Sequence, residues 1–285
     1  MPVTGIQAGR SGERAGVSPD MPARGAGAAA TPLALVLETL SVGFGGLQVL
    51  DGVSMTIRPA ERHAVFGPNG AGKTTLFNLI GGDLMPGGGR ILFFDMDVTR
   101  LPPHARVRLG MRRTYQSSML FPELSVLENL LIAVRGVRPG RFGLGRIRPG
   151  DVDVEAAETL LRNVRLTDVA AQTVATLSHG QQRQLEIGMA LAGTPRLILL
   201  DEPAAGLSAA ERRDLGELLT ALPRSTAFLL IEHDLEIALQ VADRVSVMHG
   251  GRVMRQGTPD EIMNDAEVQA IYLGGGSKEA GGHAR

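Results

Sequence analysis

The sequence predicts an α/β fold, a mostly parallel sheet carrying a mostly helical insertion. Three observations lead there. Short aliphatic and β-branched runs alternate with helical periods on either side of a middle region, as in parallel strands buried on both faces. The middle region, roughly Leu101 to Thr176, reads as helical. One unit, "HAVF" into "GPNGAGKTT" into "LFNLIGG" (His63–Gly82), has the order strand, Gly-rich loop, helix.

Taken in order, residues 1–33 are rich in Gly, Ala and Pro, with no apolar period and no signal-peptide core. They read as a disordered tail or a mis-set start site. Strands are expected at "LALVLETLSVGF" (Leu33–Phe44), "VSMTIR" (Val53–Arg58), "HAVF" and "ILFFD" (Ile91–Asp95). Helical patterns follow at "SVLENLLIAV" (Ser125–Val134) and "DVDVEAAETLLRNV" (Asp151–Val164). Between them "RGVRPGRFGLGRIRPG" (Arg135–Gly150) is a loop by its Gly and Pro, with five arginines. It is a solvated excursion or a contact for anionic lipid headgroups or a membrane partner. Alternation resumes with "RLILLD" (Arg196–Asp201), "AAERRDLGELLTAL" (Ala209–Leu222), "TAFLLIE" (Thr226–Glu232), "DLEIALQVA" (Asp234–Ala242) and "RVSVMH" (Arg244–His249). Residues 275–285 form a second loose tail.

Composition narrows the classes. A chain of 285 residues can bury a full core. A net charge of −1 gives no sign of nucleic acid or another bulk polyanion as partner. Cysteine is absent, which excludes disulfides and Cys-built zinc sites. No apolar run approaches the roughly 18 residues of a spanning helix. Of the 29 basic residues only Lys73 and Lys278 are lysines, an excess of arginine that fits coding bias. Lys73 therefore stands out.

"GPNGAGKTT" (Gly67–Thr75) matches G-x-x-x-x-G-K-[ST] in strand–loop–helix context, the pattern of a nucleotide phosphate site. Gly67, Pro68, Asn69, Gly70, Ala71 and Gly72 form a loop whose N–H groups can turn inward around phosphate oxygens. Lys73 offers a compact ammonium, where an Arg would be bulkier and fork-shaped. Thr74 offers a hydroxyl to Mg²⁺, and Thr75 completes the motif. "RLILLDEP" ends a buried strand on Asp201, at the carboxyl edge where open α/β sheets bind ligands. Asp201 can hold Mg²⁺, and Glu202 can face an attacking water. Gln116, in "RRTYQSS" after a short strand, can orient a water or serve as a Mg²⁺ ligand. His233, in "LLIEHDL", ends a strand expected beside the Asp201 strand. "TLSHGQQRQLEIGMALA" (Thr176–Ala192) opens a second helix with Ser and Gly, another anion-binding start.

The order phosphate loop, Gln116, "LSHGQ", "LLLDEP", His233 resembles the nucleotide-binding subunit of an ATP-binding cassette (ABC) transporter, over about Leu35 to Gly274. The resemblance implies a P-loop NTPase core with a mostly parallel sheet and an N-terminal antiparallel β part. It also implies one ATPase domain over residues 34–274, with a helical subdomain at about 102–190. ATP and Mg²⁺ are the implied cofactors, with Glu202, His233 and Gln116 catalytic. Ser178, His179, Gly180 and Gln181 would serve the ATP of a second ATPase subunit, in a homo- or heterodimer. Phe44 sits where the family stacks adenine; a core Phe is the alternative. A narrower resemblance, to ATPases of branched-chain amino acid importers and their amide and urea relatives, rests on "RRTYQSSMLFPELSVLENLLIA", "DEPAAGL", "IEHDLEIALQVADRVSVMHGGRVMRQGTPDEI" and "VQAIYLG". This chain is similar to their Gln-bearing kind. The implied partners are permeases and, indirectly, a substrate-binding protein, at the cytoplasmic face of the inner membrane. An ABC exporter ATPase or a soluble ABC ATPase is the alternative. Ser208 departs from the family's Asp or Asn, which puts that loop's cross-subunit hydrogen bonds in doubt.

Overall fold

A computed structural model describes residues 31–114, 119–138 and 151–272. The readings made for residues 1–30, Gln116, most of the Arg-rich loop (139–150) and residues 273–285 lie outside the described residues. Strands β1 (Leu35–Phe44) and β2 (Leu47–Ile57) turn back on each other at Gly45–Gly46, both at positive φ. β3 (Arg62–Phe66) runs through the Gly-rich loop into helix α1 (Lys73–Gly81), and β4 (Gly88–Phe93) and β5 (Met96–Asp97) follow. β2, β1, β4 and β5, in that order, make an antiparallel sheet.

The chain continues through α2 (Pro103–Arg108), β6 (Met111–Arg113), α3 (Val126–Gly136), α4 (Val152–Asn163) and α5 (His179–Ala190). Then come β7 (Leu197–Asp201), α6 (Ala209–Ala221), β8 (Ala227–Glu232), α7 (Leu235–Val241) and β9 (Arg244–His249). β10 (Arg252–Gly257), α8 (Pro259–Met263) and α9 (Ala266–Tyr272) close the described chain. A second sheet has the order β10-β9-β3-β8-β7-β6. Its neighbours are parallel except β10, which is antiparallel to β9. β6 thus belongs by pairing to the parallel sheet, although it falls inside residues 102–190; α3, α4 and α5 are the helical part.

The aliphatic runs are continuous because each strand feeds two cores. In β7, Leu197 and Leu199 pack with α1 and the antiparallel sheet, while Ile198 and Leu200 pack with α3, α4 and α5. The first core sandwiches α1, whose Leu76, Phe77, Leu79 and Ile80 are all buried. Its C-terminal carbonyls are satisfied by a buried arginine. Arg106 donates from Nη1 to Leu79 O (2.7 Å) and Ile80 O (2.6 Å), and from Nε to Leu101 O (2.9 Å). Burial lowers its pKa to about 10, so it stays a cation at the negative end of the α1 dipole. The helices that open the functional loops start on reciprocal capping boxes, Ser178 with Gln181 for α5 and Ser208 with Glu211 for α6. Ser208 caps α6 as Asp or Asn would, so the departure from the family pattern keeps this helix start.

Candidate active site

Parallel pairing brings four strand ends to one edge. Phe66, which precedes the phosphate loop, is in register with Glu232 of β8, and Ile231 is in register with Asp201 of β7. On the far side β6 runs beside β7, with Arg113 opposite Leu199. The loop after β3 closes tightly: a Cβ on Gly67 would lie 2.4 Å from Met248 O, so only glycine fits. Gly70 and Gly72 take φ of 80° and 95°, the left-handed conformation that glycine adopts without strain. Pro68 is half-buried, Ala71 is buried, and Asn69 and Gly70 are exposed. Thr74 is exposed on the first turn of α1 with Thr75 half-buried beside it.

Lys73 is buried, and its ammonium donates to Gly67 O at 2.6 Å and Pro68 O at 3.0 Å. Burial pulls its pKa down, and the charges of Glu202 and Asp201 pull it back up. The lysine and the acidic pair therefore share one electrostatic environment. Asp201 is buried; Oδ2 accepts from Arg113 Nη2 at 2.9 Å, while Oδ1 has no hydrogen-bond partner. Burial raises the Asp201 pKa, against the lowering effect of Arg113. Arg113 also donates to Asn78 Oδ1 and Asp83 Oδ2, both at 2.8 Å, tying β6 and β7 to α1.

Glu202 turns sharply out of β7 with φ of 46°, a left-handed value uncommon for a residue with a Cβ. Its backbone is held on two sides: its N–H donates to Ile231 O (3.0 Å), and its carbonyl accepts from Arg183 Nη2 (3.2 Å). His233 is exposed just past β8. The preceding Glu232 is fully buried, and its pKa is pushed up to about 6, mainly by burial. Arg113, Arg183 and Glu232 were not singled out from sequence. Only Glu232 left a signal, a carboxylate closing an aliphatic run just before a candidate histidine.

The helix start at Ser178 is built differently. Ser178 and His179 are exposed, and Gly180 and Gln181 half-buried. Ser178 Oγ accepts from the Gln181 N–H at 3.2 Å, and the Gly180 N–H donates to Glu211 Oε1 at 3.1 Å. Among the described residues no hydrogen bond joins Ser178–Gln181 to the phosphate loop. Phe44 is 51 % exposed at the end of β1, so it is not a core residue.

This strand-edge arrangement, with a phosphate loop and an acidic pair one strand apart, is that of a nucleotide-hydrolysing α/β protein. The chain matches the family model described as ABC transporter over residues 50–205, and it belongs to that family of ATP-binding proteins. Residues 256–278 match a second model, described as branched-chain amino acid ATP-binding cassette transporter. The chain is 38 % identical over 248 residues to the high-affinity branched-chain amino acid transport ATP-binding protein LivG of Escherichia coli K12, covering 84 % of this chain and 97 % of LivG. It is 37 % identical to BraF of Pseudomonas aeruginosa, with the same two coverages, 84 % and 97 %. Among solved structures, the ADP conformation of an ABC transporter cassette matches with a TM-score of 0.74 and 32 % identity, over 85 % of this chain and 99 % of that one.

Proposed function

We propose that this chain is the ATPase subunit that powers import of branched-chain amino acids, or of related amides or urea. The observation that supports the reading is the strand edge that sets the phosphate loop one strand from Asp201 and Glu202, with Lys73 within electrostatic reach of both carboxylates. Identity to LivG over most of both chains, together with the match at residues 256–278, supports the substrate class. Lys73 would contact the β- and γ-phosphates, the N–H groups of Gly67–Gly72 would cradle them, and Phe44 would stack on adenine. Glu202 would draw a proton from an in-line water, with His233 beside the γ-phosphate and Gln116 linking nucleotide to movement.

The residues fit Mg²⁺. Asp201 keeps one buried carboxylate oxygen without a hydrogen bond, and Thr74 shows a hydroxyl at the phosphate loop. Mg²⁺ prefers this kind of set, one or two protein oxygens plus phosphates and water. Thr74, Asp201 and Gln116 would hold it, and it would neutralise charge on the phosphoryl oxygens.

Ser178, His179, Gly180 and Gln181 would take the γ-phosphate bound to a second ATPase subunit, so closure depends on ATP. One ATPase domain would span residues 34–274, with a helical subdomain at about 102–190 and tails at 1–33 and 275–285. No helix among the described residues is long and apolar enough to cross a membrane. The subunit would work at the cytoplasmic face of the inner membrane, against permeases fed by a substrate-binding protein. The test is uptake of labelled leucine, isoleucine and valine by cells lacking the gene. Uptake should fall, and the native gene should restore it while Glu202→Gln should not. Uptake indifferent to deletion would remove the assignment.

A further inference from the structure

Glu232 is a buried carboxylate at the centre of the candidate active site. β8 lies between the phosphate-loop strand β3 and the acidic strand β7, and Glu232 is its last residue. Its two oxygens do different things. Oε1 accepts from the Ala204 N–H at 2.8 Å. Ala204 lies in the turn opened by Glu202, which is closed by a hydrogen bond from Ala205 N–H to Glu202 O at 3.1 Å. Oε2 has no partner at hydrogen-bond distance and lies 3.8 Å from Nδ1 of His233.

A neutral side chain would satisfy the Ala204 N–H without the desolvation that a buried carboxylate suffers. Burial raises the Glu232 pKa, whereas the Ala204 N–H and the charge of His233 lower it. The group placed to use the charge is His233, the next residue, which is exposed at the end of β8 with its Nδ1 3.8 Å from Oε2.

We propose that Glu232 is a positioning residue for ATP hydrolysis. Its carboxylate pins the Glu202 turn through the Ala204 N–H and holds His233 by charge. This rests on the reading that Glu202 and His233 carry hydrolysis. It predicts that stability and activity move in opposite directions. Glu232→Gln keeps an acceptor for Ala204 but drops the charge, and so relieves the burial strain while releasing His233.

The experiment uses the full chain with its cognate second ATPase and permeases, comparing native protein, Glu232→Gln, Glu232→Ala and His233→Ala. Glu232→Gln should lower kcat about tenfold, the scale of residues that act through a network. The KM for ATP should stay unchanged, and the thermal midpoint at neutral pH should rise. Glu232→Ala, which also loses the Ala204 acceptor, should lose more activity and be less stable than the Gln variant. In single-turnover assays Glu232→Gln should add no loss to His233→Ala. Native kcat in Glu232→Gln, a loss that only tracks a lowered thermal midpoint, or the same further loss without His233 would each overturn the proposal. Native turnover in His233→Ala and Glu202→Gln would overturn the underlying site reading, and the positioning role with it.

Discussion

The strand edge and the start of α5 are both equipped to handle phosphate, and they are built on opposite plans. At the edge, residues far apart in sequence converge because parallel pairing sets β3, β8, β7 and β6 in register. Lys73, Asp201 and Glu232 are buried there. At α5 the polar groups come from one short stretch, and Ser178 and His179 face solvent. A buried set of opposite charges can do chemistry within one chain, whereas an exposed helix start needs a surface brought to it. The difference supports a division of labour, with chemistry at the edge and recognition of a second subunit at α5.

The sharpest way to break that division is to remove charge at the edge alone. Glu202→Gln should slow ATP turnover by about 10²–10⁴-fold, the usual contribution of a general base. Nucleotide binding, followed by titration, should persist, and the protein should accumulate as an ATP-bound dimer with its proper partner. A Gln variant that turns over at the native rate would take catalysis away from Glu202. Ser178→Arg attacks the other region. Each subunit should still bind ATP, but no ATP-dependent dimer should elute in size-exclusion chromatography at concentrations where Glu202→Gln dimerises. Dimer formation by Ser178→Arg would mean that α5 does not meet the second subunit.

Phe44 tests how far the edge extends toward the base. Phe44→Ala should weaken nucleotide affinity by roughly 1–3 kcal/mol, on the scale of base–aromatic stacking. Its exposure makes a folding explanation unattractive, and unchanged thermal stability would sharpen the point. Equal affinities for native and variant protein would remove Phe44 from the site.

Much of this was legible in the sequence, and the reason is physical. The phosphate loop is local: glycines, one lysine and a hydroxyl within nine positions specify it, and the flanking periods fix its strand and helix. The aliphatic runs of β7 and β8 were equally plain, because strands buried on both faces leave no alternation to misread. Short edge elements carried no such signal. β10 has a mixed exposure pattern, and β5 is too short to show a period. Arg113 and Arg106 were invisible because an arginine reads as surface until its partners are known. Both are held by residues from other elements, Arg113 by Asn78, Asp83 and Asp201, and Arg106 by the last carbonyls of α1. Ser208 departs from the family's Asp or Asn, and its capping of α6 is visible only with Glu211 in place.

Acid separates the two regions most finely, because each has a carboxylate shifted the opposite way. At α5 and α6, hydrogen bonds from Ser208 and Gly180 hold Glu211 below the ordinary carboxylate range. Its contribution is present above the unfolded pKa and fades as pH falls through the lowered folded value. At the edge, Glu232 is raised from 4.5 to about 6 by burial. A raised folded pKa means that the native state binds the proton more tightly, so stability from this group is full below pH 4.5 and is lost as pH rises through about 6. A shift of that size is worth about 2 kcal/mol. Denaturant unfolding of native protein and Glu232→Gln between pH 4 and pH 7.5 reads the difference directly. The Gln variant should be the more stable above pH 6 by about 2 kcal/mol, and the two curves should converge toward pH 4.5. Glu211→Gln should behave in the reverse sense, losing stability near neutrality and matching the native protein in acid. Parallel curves for Glu232→Gln across the whole range would mean that its carboxylate is not held in a desolvated site, and that the edge and the helix start do not differ in this respect.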